Sequence, residues 1–152
     1  MEIKETQDLW VVREKARVRI PDVKKAAAIY ALTIENRITD AGLAIAGPYM
    51  FISHHLPKES KTFFDWEICR PVKKPEGYAG KLELVHLEPI MVASKVHQGS
   101  LRTLFTRGYA PLIAELDMSR YIYSGESREI YHGWSGPGAS YHNIEIQFGL
   151  AR

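Results

Sequence analysis

The chain has 152 residues, 45% hydrophobic and 25% charged, values that fit one soluble globular domain with a proper core. Its 20 basic and 18 acidic residues nearly cancel, and the Lys24-Lys25 and Lys73-Lys74 pairs are isolated, so no basic stripe marks a direct nucleic-acid binder. One cysteine, Cys69, excludes an internal disulfide; the N-terminus lacks the apolar core of a signal peptide and no apolar run reaches about 18 residues, so a cytoplasmic protein with no membrane partner is expected.

Leu9 to Ile20 alternates around Val11, Val12, Ala16 and Val18 and predicts a strand. Pro21-Asp22 stops it and opens a helix, in which Val23, Ala26, Ala27, Tyr30, Ile34 and Ile38 recur at helical spacing to Ala41. Gly42 and Gly47-Pro48 mark a loop before a strand from Tyr49 to His54. After a polar turn from Leu56 to Lys61, a further strand runs from Phe63 to Val72.

Lys73 to Lys81, with Pro75, Gly77 and Gly80, reads as a linker inside the domain, and Leu82 to Val96 as a strand bent at Glu88-Pro89. Gln98-Gly99-Ser100 introduces a second helix with the apolar face Leu101, Leu104, Phe105, Tyr109, Leu112, Ile113 and Leu116. Gly108 and Pro111 fall within it and predict a kink or break. Tyr123 to Trp134 reads as a turn at Ser124-Gly125 followed by a short strand, Ser135-Gly-Pro-Gly-Ala139 as a glycine-rich loop, and Tyr141 to Leu150 as a final alternating strand.

The order strand, helix, strand, strand occurs twice, and the halves align without a gap at an offset of 78, with Gly47 on Gly125 and Ile52-Ser-His54 on Ile130-Tyr-His132. The expectation is an α+β domain over 1–152, built from pseudo-repeats at about 8–72 and 82–150, with a curved, mostly antiparallel sheet, two main helices and a central groove. Phe51 is the repeat-mate of Glu129, so equivalent positions near the axis are aromatic in one half and acidic in the other.

Five local patterns in order carry a resemblance to a known family. They are Gly47-Pro48 before a strand, Asp65-Trp-Glu-Ile-Cys-Arg-Pro-Val72, His97-Gln-Gly-Ser100, Gly125 through Glu129-Ile-Tyr131, and Ile144-Glu-Ile146. Together they resemble the GyrI-like small-molecule-binding family, which includes the effector-binding domains of AraC-type and MerR-type multidrug regulators. The chain departs from that pattern at Ser53, often a tyrosine in the family, at Gly149, often a proline, and at Leu101, where an aromatic is usual. The resemblance implies a groove in which Glu129 meets lipophilic organic cations between aromatic rings. No helix-turn-helix segment precedes Leu9, which suggests a stand-alone binding domain.

The candidate ligand-binding residues are Glu129, Tyr131, Trp66, Phe51, Phe105, Tyr109 and Trp134. On the residues alone, Glu129 reads better as a solvent-facing strand residue paired with Arg128 or Arg70; the resemblance reverses that preference. Tyr131 shares its face and either holds the carboxylate or is an ordinary strand tyrosine. Trp66 and Trp134 are walls or core, the Phe105–Tyr109 pair is a ledge or core, and Trp10 and Tyr30 read as core. The histidines lack metal spacing and no cofactor is expected. Three function classes remain open: a sequestering protein for aromatic cations; a hydrolase of cyclopropanoid or similar electrophilic toxins, using Glu129 and Tyr131 as its catalytic residues; and an interaction module whose partner is DNA gyrase or a regulator.

Overall fold

In a computed structural model, which describes residues 1–132 and 142–151, the chain forms eight strands and two α-helices. The strands are β1 (Glu2–Glu5), β2 (Leu9–Val18), β3 (Met50–His54), β4 (Phe64–Val72), β5 (Val85–Leu87), β6 (Met91–Gly99), β7 (Ile122–Tyr131) and β8 (His142–Ala151). The helices are α1 (Val23–Ala41) and α2 (Ala110–Asp117). One antiparallel sheet runs β1-β6-β8-β7-β3-β4-β2-β5.

That order is symmetric about the central β7–β3 pair, with β8 answering β4 and β6 answering β2. It is the arrangement that two strand-helix-strand-strand units produce when their middle strands pair, and the expected α+β fold with a curved antiparallel sheet is the one found. The curvature has a simple cause. β5 and β6 lie near opposite ends of the strand order, yet only Glu88, Pro89 and Ile90 separate them. Four Cα steps span at most about 15 Å, so the sheet must curl until its ends approach. Thr6 continues the β1–β6 pairing into this connection with reciprocal bonds, its N–H donating to the Ile90 carbonyl at 2.8 Å and its Oγ1 accepting from the Ile90 N–H at 2.9 Å.

Two parts of the sheet differ from expectation. The Leu82–Val96 stretch is not one bent strand but the end of a loop followed by β5 and β6, which pair with different neighbours. Pro89 has no N–H to give a ladder, so the break falls there. β1 has no sequence signal: Glu-Ile-Lys-Glu is too short and too charged to show a strand pattern, and it exists because β6 offers an edge.

Both faces of the sheet bury apolar side chains. The inner face, under the helices, collects Val12, Phe51, Trp66, Ile68, Ile144, Ile146 and Phe148 with Ile34, Ile38, Leu112 and Leu116. α1 ends at Gly42, whose φ of 68° is the left-handed conformation that glycine adopts without strain. The outer face holds a smaller cluster of Val11, Met50, Ile52 and Cys69, flanked by Leu9, Val85, Leu87 and Ile130. Burial pushes the Cys69 thiol up to about 12, and Cys69 has no exposed surface. The native protein is therefore expected to leave a disulfide reagent such as DTNB unreacted at pH 8, and to release one equivalent of thiolate on unfolding in urea. Rapid labelling without denaturant would show that the outer cluster opens.

Trp10, expected in the core, is only partly buried at the sheet's edge. It lies between the His86 ring, stacked at 4.5 Å, and the Lys74 ammonium at 4.0 Å.

The second helix divides as Gly108 and Pro111 foretell, into a 3-10 turn (Leu101–Thr103), a π-helical turn (Leu104–Tyr109) and then α2. Pro111 sits in the first turn of α2, where a missing N–H costs nothing. Its ring would clash with the carbonyl four residues back in a continuous α-helix, and the wider π-turn relieves that.

Candidate site on the inner face of the central strands

The register of β3 and β7 sets the floor of the site. A bulge between Tyr123 and Ser127 shifts β7, and Gly125 within it has φ +100°, a conformation that L side chains rarely adopt. The His55 N–H bonds the Gly125 carbonyl at 2.7 Å and locks the bulge in place. Beyond it, Ser127, Glu129 and Tyr131 face the helices, opposite Ser53, Phe51 and Tyr49 of β3 and its approach.

Glu129 is partly buried, and two phenols hold it. Tyr131 donates to Oε1, and Tyr109, from the π-helical turn, donates to Oε2. Burial raises the Glu129 pKa above the ordinary carboxylate range, although both hydrogen bonds pull it down. Burial and the neighbouring carboxylate push both tyrosines well above the usual phenol range, so they remain donors.

Two other largely buried glutamates lie on the outer face, and both have basic partners. Glu67 meets Arg13 at 3.2 Å and His54 at 2.5 Å. Glu145 meets Lys4 at 2.7 Å and His132 at 3.1 Å and accepts from Ser94 and Gln147 at 2.8 Å; burial opposes its ionisation, but these contacts prevail and bring it to about 2. Glu129 has no Lys, Arg or His partner among the described residues. The residues that could have paired with it turn elsewhere. Arg128 points to the outer face and bonds Glu126 at 2.8 Å, and Arg70 lies over the Tyr49 ring at 4.3 Å with Glu35 at 3.9 Å.

Aromatic rings extend from the carboxylate in both directions. Phe51 stacks obliquely on Tyr131 at 4.6 Å and meets Trp66 edge-on at 5.2 Å; Tyr30 continues the row 6.4 Å from Trp66. On the other side Tyr109 meets Phe148 at 5.9 Å, and Tyr123 meets Phe148 at 5.1 Å. Of the seven candidates, Glu129, Tyr131, Tyr109, Phe51 and Trp66 are thus brought together. Phe105 is not: it is 65% exposed on the π-helical turn. Trp134 and the glycine-rich loop lie outside the described residues. Tyr30, Tyr123 and Phe148 join the site without a sequence signal for it. Tyr30 and Phe148 carry core periodicity, and only the pairing of β7 with β8 and the seat of α1 places them beside it.

Gly108 sets the height of Tyr109. A Cβ there would lie 2.7 Å from Ile146 Cδ1, and Ile146 is fully buried opposite Glu129. Gly108→Ala is expected to destabilise the fold by about 1–3 kcal/mol through overpacking, read as a lower urea midpoint. An unchanged midpoint would mean that the turn floats free of the sheet. Two open depressions on the surface lie along β2, bounded by charged groups such as Arg13, Lys15, Arg37 and Lys81 in one and Lys15, Arg17, His54 and Asp65 in the other; Glu129 lines neither. No His, Cys, Asp and Glu group among the described residues is placed to hold a metal ion, and no described helix is long and apolar enough to cross a membrane.

No protein-family model and no curated protein matches the sequence. Solved structures do match its fold. The C-terminal domain of EcmrR aligns over 99% of this chain and 96% of its own length, with a TM-score of 0.72 and 22% identity. SAV2435 bound to tetraphenylphosphonium aligns over 99% and 93%, at 0.60 and 12%. A hydrolase from Listeria innocua aligns over 99% and 91%, at 0.62 and 11%. The chain spans 57% of the EcmrR chain in its complex with DNA. At such identities the likeness is one of fold, and the chain shares the fold of the EcmrR C-terminal domain.

Proposed function

We propose that this chain is a binding domain for lipophilic aromatic cations, with Glu129 as the counter-charge and Phe51, Trp66, Tyr109 and Tyr131 as the surrounding rings. The observation that carries the reading is the contrast among the three glutamates: Glu67 and Glu145 have basic partners, whereas among the described residues Glu129 is held by phenols without a basic partner. A carboxylate kept from water without a cation is costly, and a ligand cation offsets that cost. Ring faces add roughly 0.5–2 kcal/mol per good cation contact. One charge and several rings impose few directional demands, which favours breadth of specificity. A neighbour of the same fold has been seen with tetraphenylphosphonium. Fluorescence titration with that cation tests the reading: the chain binds it, and no binding up to about 1 mM rejects the proposal.

A second reading has one observation in its favour. Glu129 has a raised pKa and touches two phenols, which is an arrangement suited to acid or base work on an electrophilic ligand. A hydrolase shares the fold. Time-resolved mass measurement of a strained cyclopropane ligand separates the readings, since a binder returns it unchanged and a hydrolase returns it with one water added.

A further inference from the structure

Next to Glu129 the floor of the site changes character. Across the inner face, the row containing Glu129 reads Ile68, Phe51, Glu129, Ile146 from β4 to β8. The adjacent row reads Trp66, Ser53, Ser127, Phe148. Two hydroxyl-bearing residues, directly opposite one another, thus lie between two large rings. Ser127 is 2% exposed, and its Oγ has no hydrogen-bond partner among the described residues. Buried hydroxyls are ordinarily hydrogen-bonded, and an idle one on a binding face marks a place for a ligand atom. Ser127 lowers the phenol pKa of Tyr123 against the larger, opposing effect of burial, yet its Oγ does not reach hydrogen-bond geometry with that phenol.

We propose that Ser127, with Ser53 opposite it, is a hydrogen-bonding subsite of the Glu129 site, and that the ligand is an aryl cation carrying a carbonyl-type acceptor about 7 Å from its charged atom, the spacing of residues two apart on one strand face. This rests on the cation-binding reading above. A carbonyl oxygen has two lone pairs, and adjacent serine hydroxyls supply two donors. The flanking Trp66 and Phe148 rings suit the flat aryl group that joins charge and acceptor. The subsite thus converts a site that accepts any flat cation into one that ranks cations by the position of an acceptor.

The test compares (4-acetylbenzyl)trimethylammonium with (4-ethylbenzyl)trimethylammonium by calorimetric titration. The two have similar shape and the same charge, but only the first has the acceptor at the required distance. The wild-type protein is expected to prefer the acetyl probe by about three- to tenfold. Ser127→Ala is expected to abolish that preference while leaving ethyl-probe affinity within about twofold, which also shows that the variant is folded. Equal affinities in the wild type, or a preference that survives Ser127→Ala, overturn the subsite. If both probes bind equally and Glu129→Gln weakens both, the subsite falls and the cation reading stands. If neither probe nor tetraphenylphosphonium binds, both fall.

Discussion

Glu129→Gln is expected to weaken tetraphenylphosphonium binding by roughly 30- to 150-fold, about 2–3 kcal/mol. That is the Coulombic value of one charge some 5–8 Å away at an effective dielectric constant near 20. Triphenylphosphine oxide, a neutral molecule with the same rings, should lose less than about threefold, because its contacts are to Phe51, Trp66 and the tyrosines. Equal losses for both ligands would show that Glu129 shapes the site without acting as a charge. Stability should move the other way. A carboxyl whose folded pKa is raised holds its proton in the native state at pH values where the unfolded chain has released it. Stability therefore falls as pH rises from the unfolded value through the folded one, and above that window the ionised group is a net cost. Glu129→Gln removes that cost, so its Tm at pH 7 should exceed that of the wild type. A variant that binds worse and melts higher is what a site strained for a ligand produces.

The parts of the fold visible in the sequence are those with a local cause. Alternation in β2 and β8, the turn signals that bound β3 and β4, helical spacing in α1, and the Gly108–Pro111 break are properties of neighbouring residues, and each is present close to its expected place. β1 shows no strand pattern because its pairing is supplied by β6 and not by its own composition, and the division of the Leu82–Val96 stretch into β5 and β6 follows from their pairing with β2 and with β8. The same division holds for the site. Glu129 and Tyr131 share a face by strand alternation alone, and the offset of 78 places Phe51 as the mate of Glu129; the structure pairs those two directly. Tyr109 is different. Its helical spacing with Phe105 suggested a ledge of two rings, but the π-turn rotates one towards Glu129 and leaves the other exposed. Nothing in the spacing reveals a π-turn before Pro111 and the packing of Gly108 on Ile146 are considered together. The pairing of Arg70 with Glu35 and of Arg128 with Glu126, which leaves Glu129 to the phenols, likewise depends on which face each side chain takes.

Tyr109→Phe should move the pH dependence of cation binding upward by about one unit. Tetraphenylphosphonium does not titrate, and both phenols at the site keep their protons well above the ordinary range, so on the proposed reading Glu129 is the group whose charge change should control its affinity. Binding should be strong where Glu129 is ionised and should fall as pH drops through its raised pKa. The phenol of Tyr109 stabilises the ionised form by hydrogen bonding to Oε2. A hydrogen bond to a charged group contributes about 1.5–3 kcal/mol, of which a neighbouring phenol or water recovers part, leaving roughly one pH unit. Phenylalanine keeps the ring and its contact with Phe148, so the apolar part of the site is preserved. Above the midpoint the variant should bind within about threefold of the wild type, since the charge and the rings both remain. In Glu129→Gln the pH dependence should vanish altogether. A midpoint that stays put or moves down in Tyr109→Phe would show that the phenol does not support the carboxylate, and that the cation displaces it from Glu129 on binding.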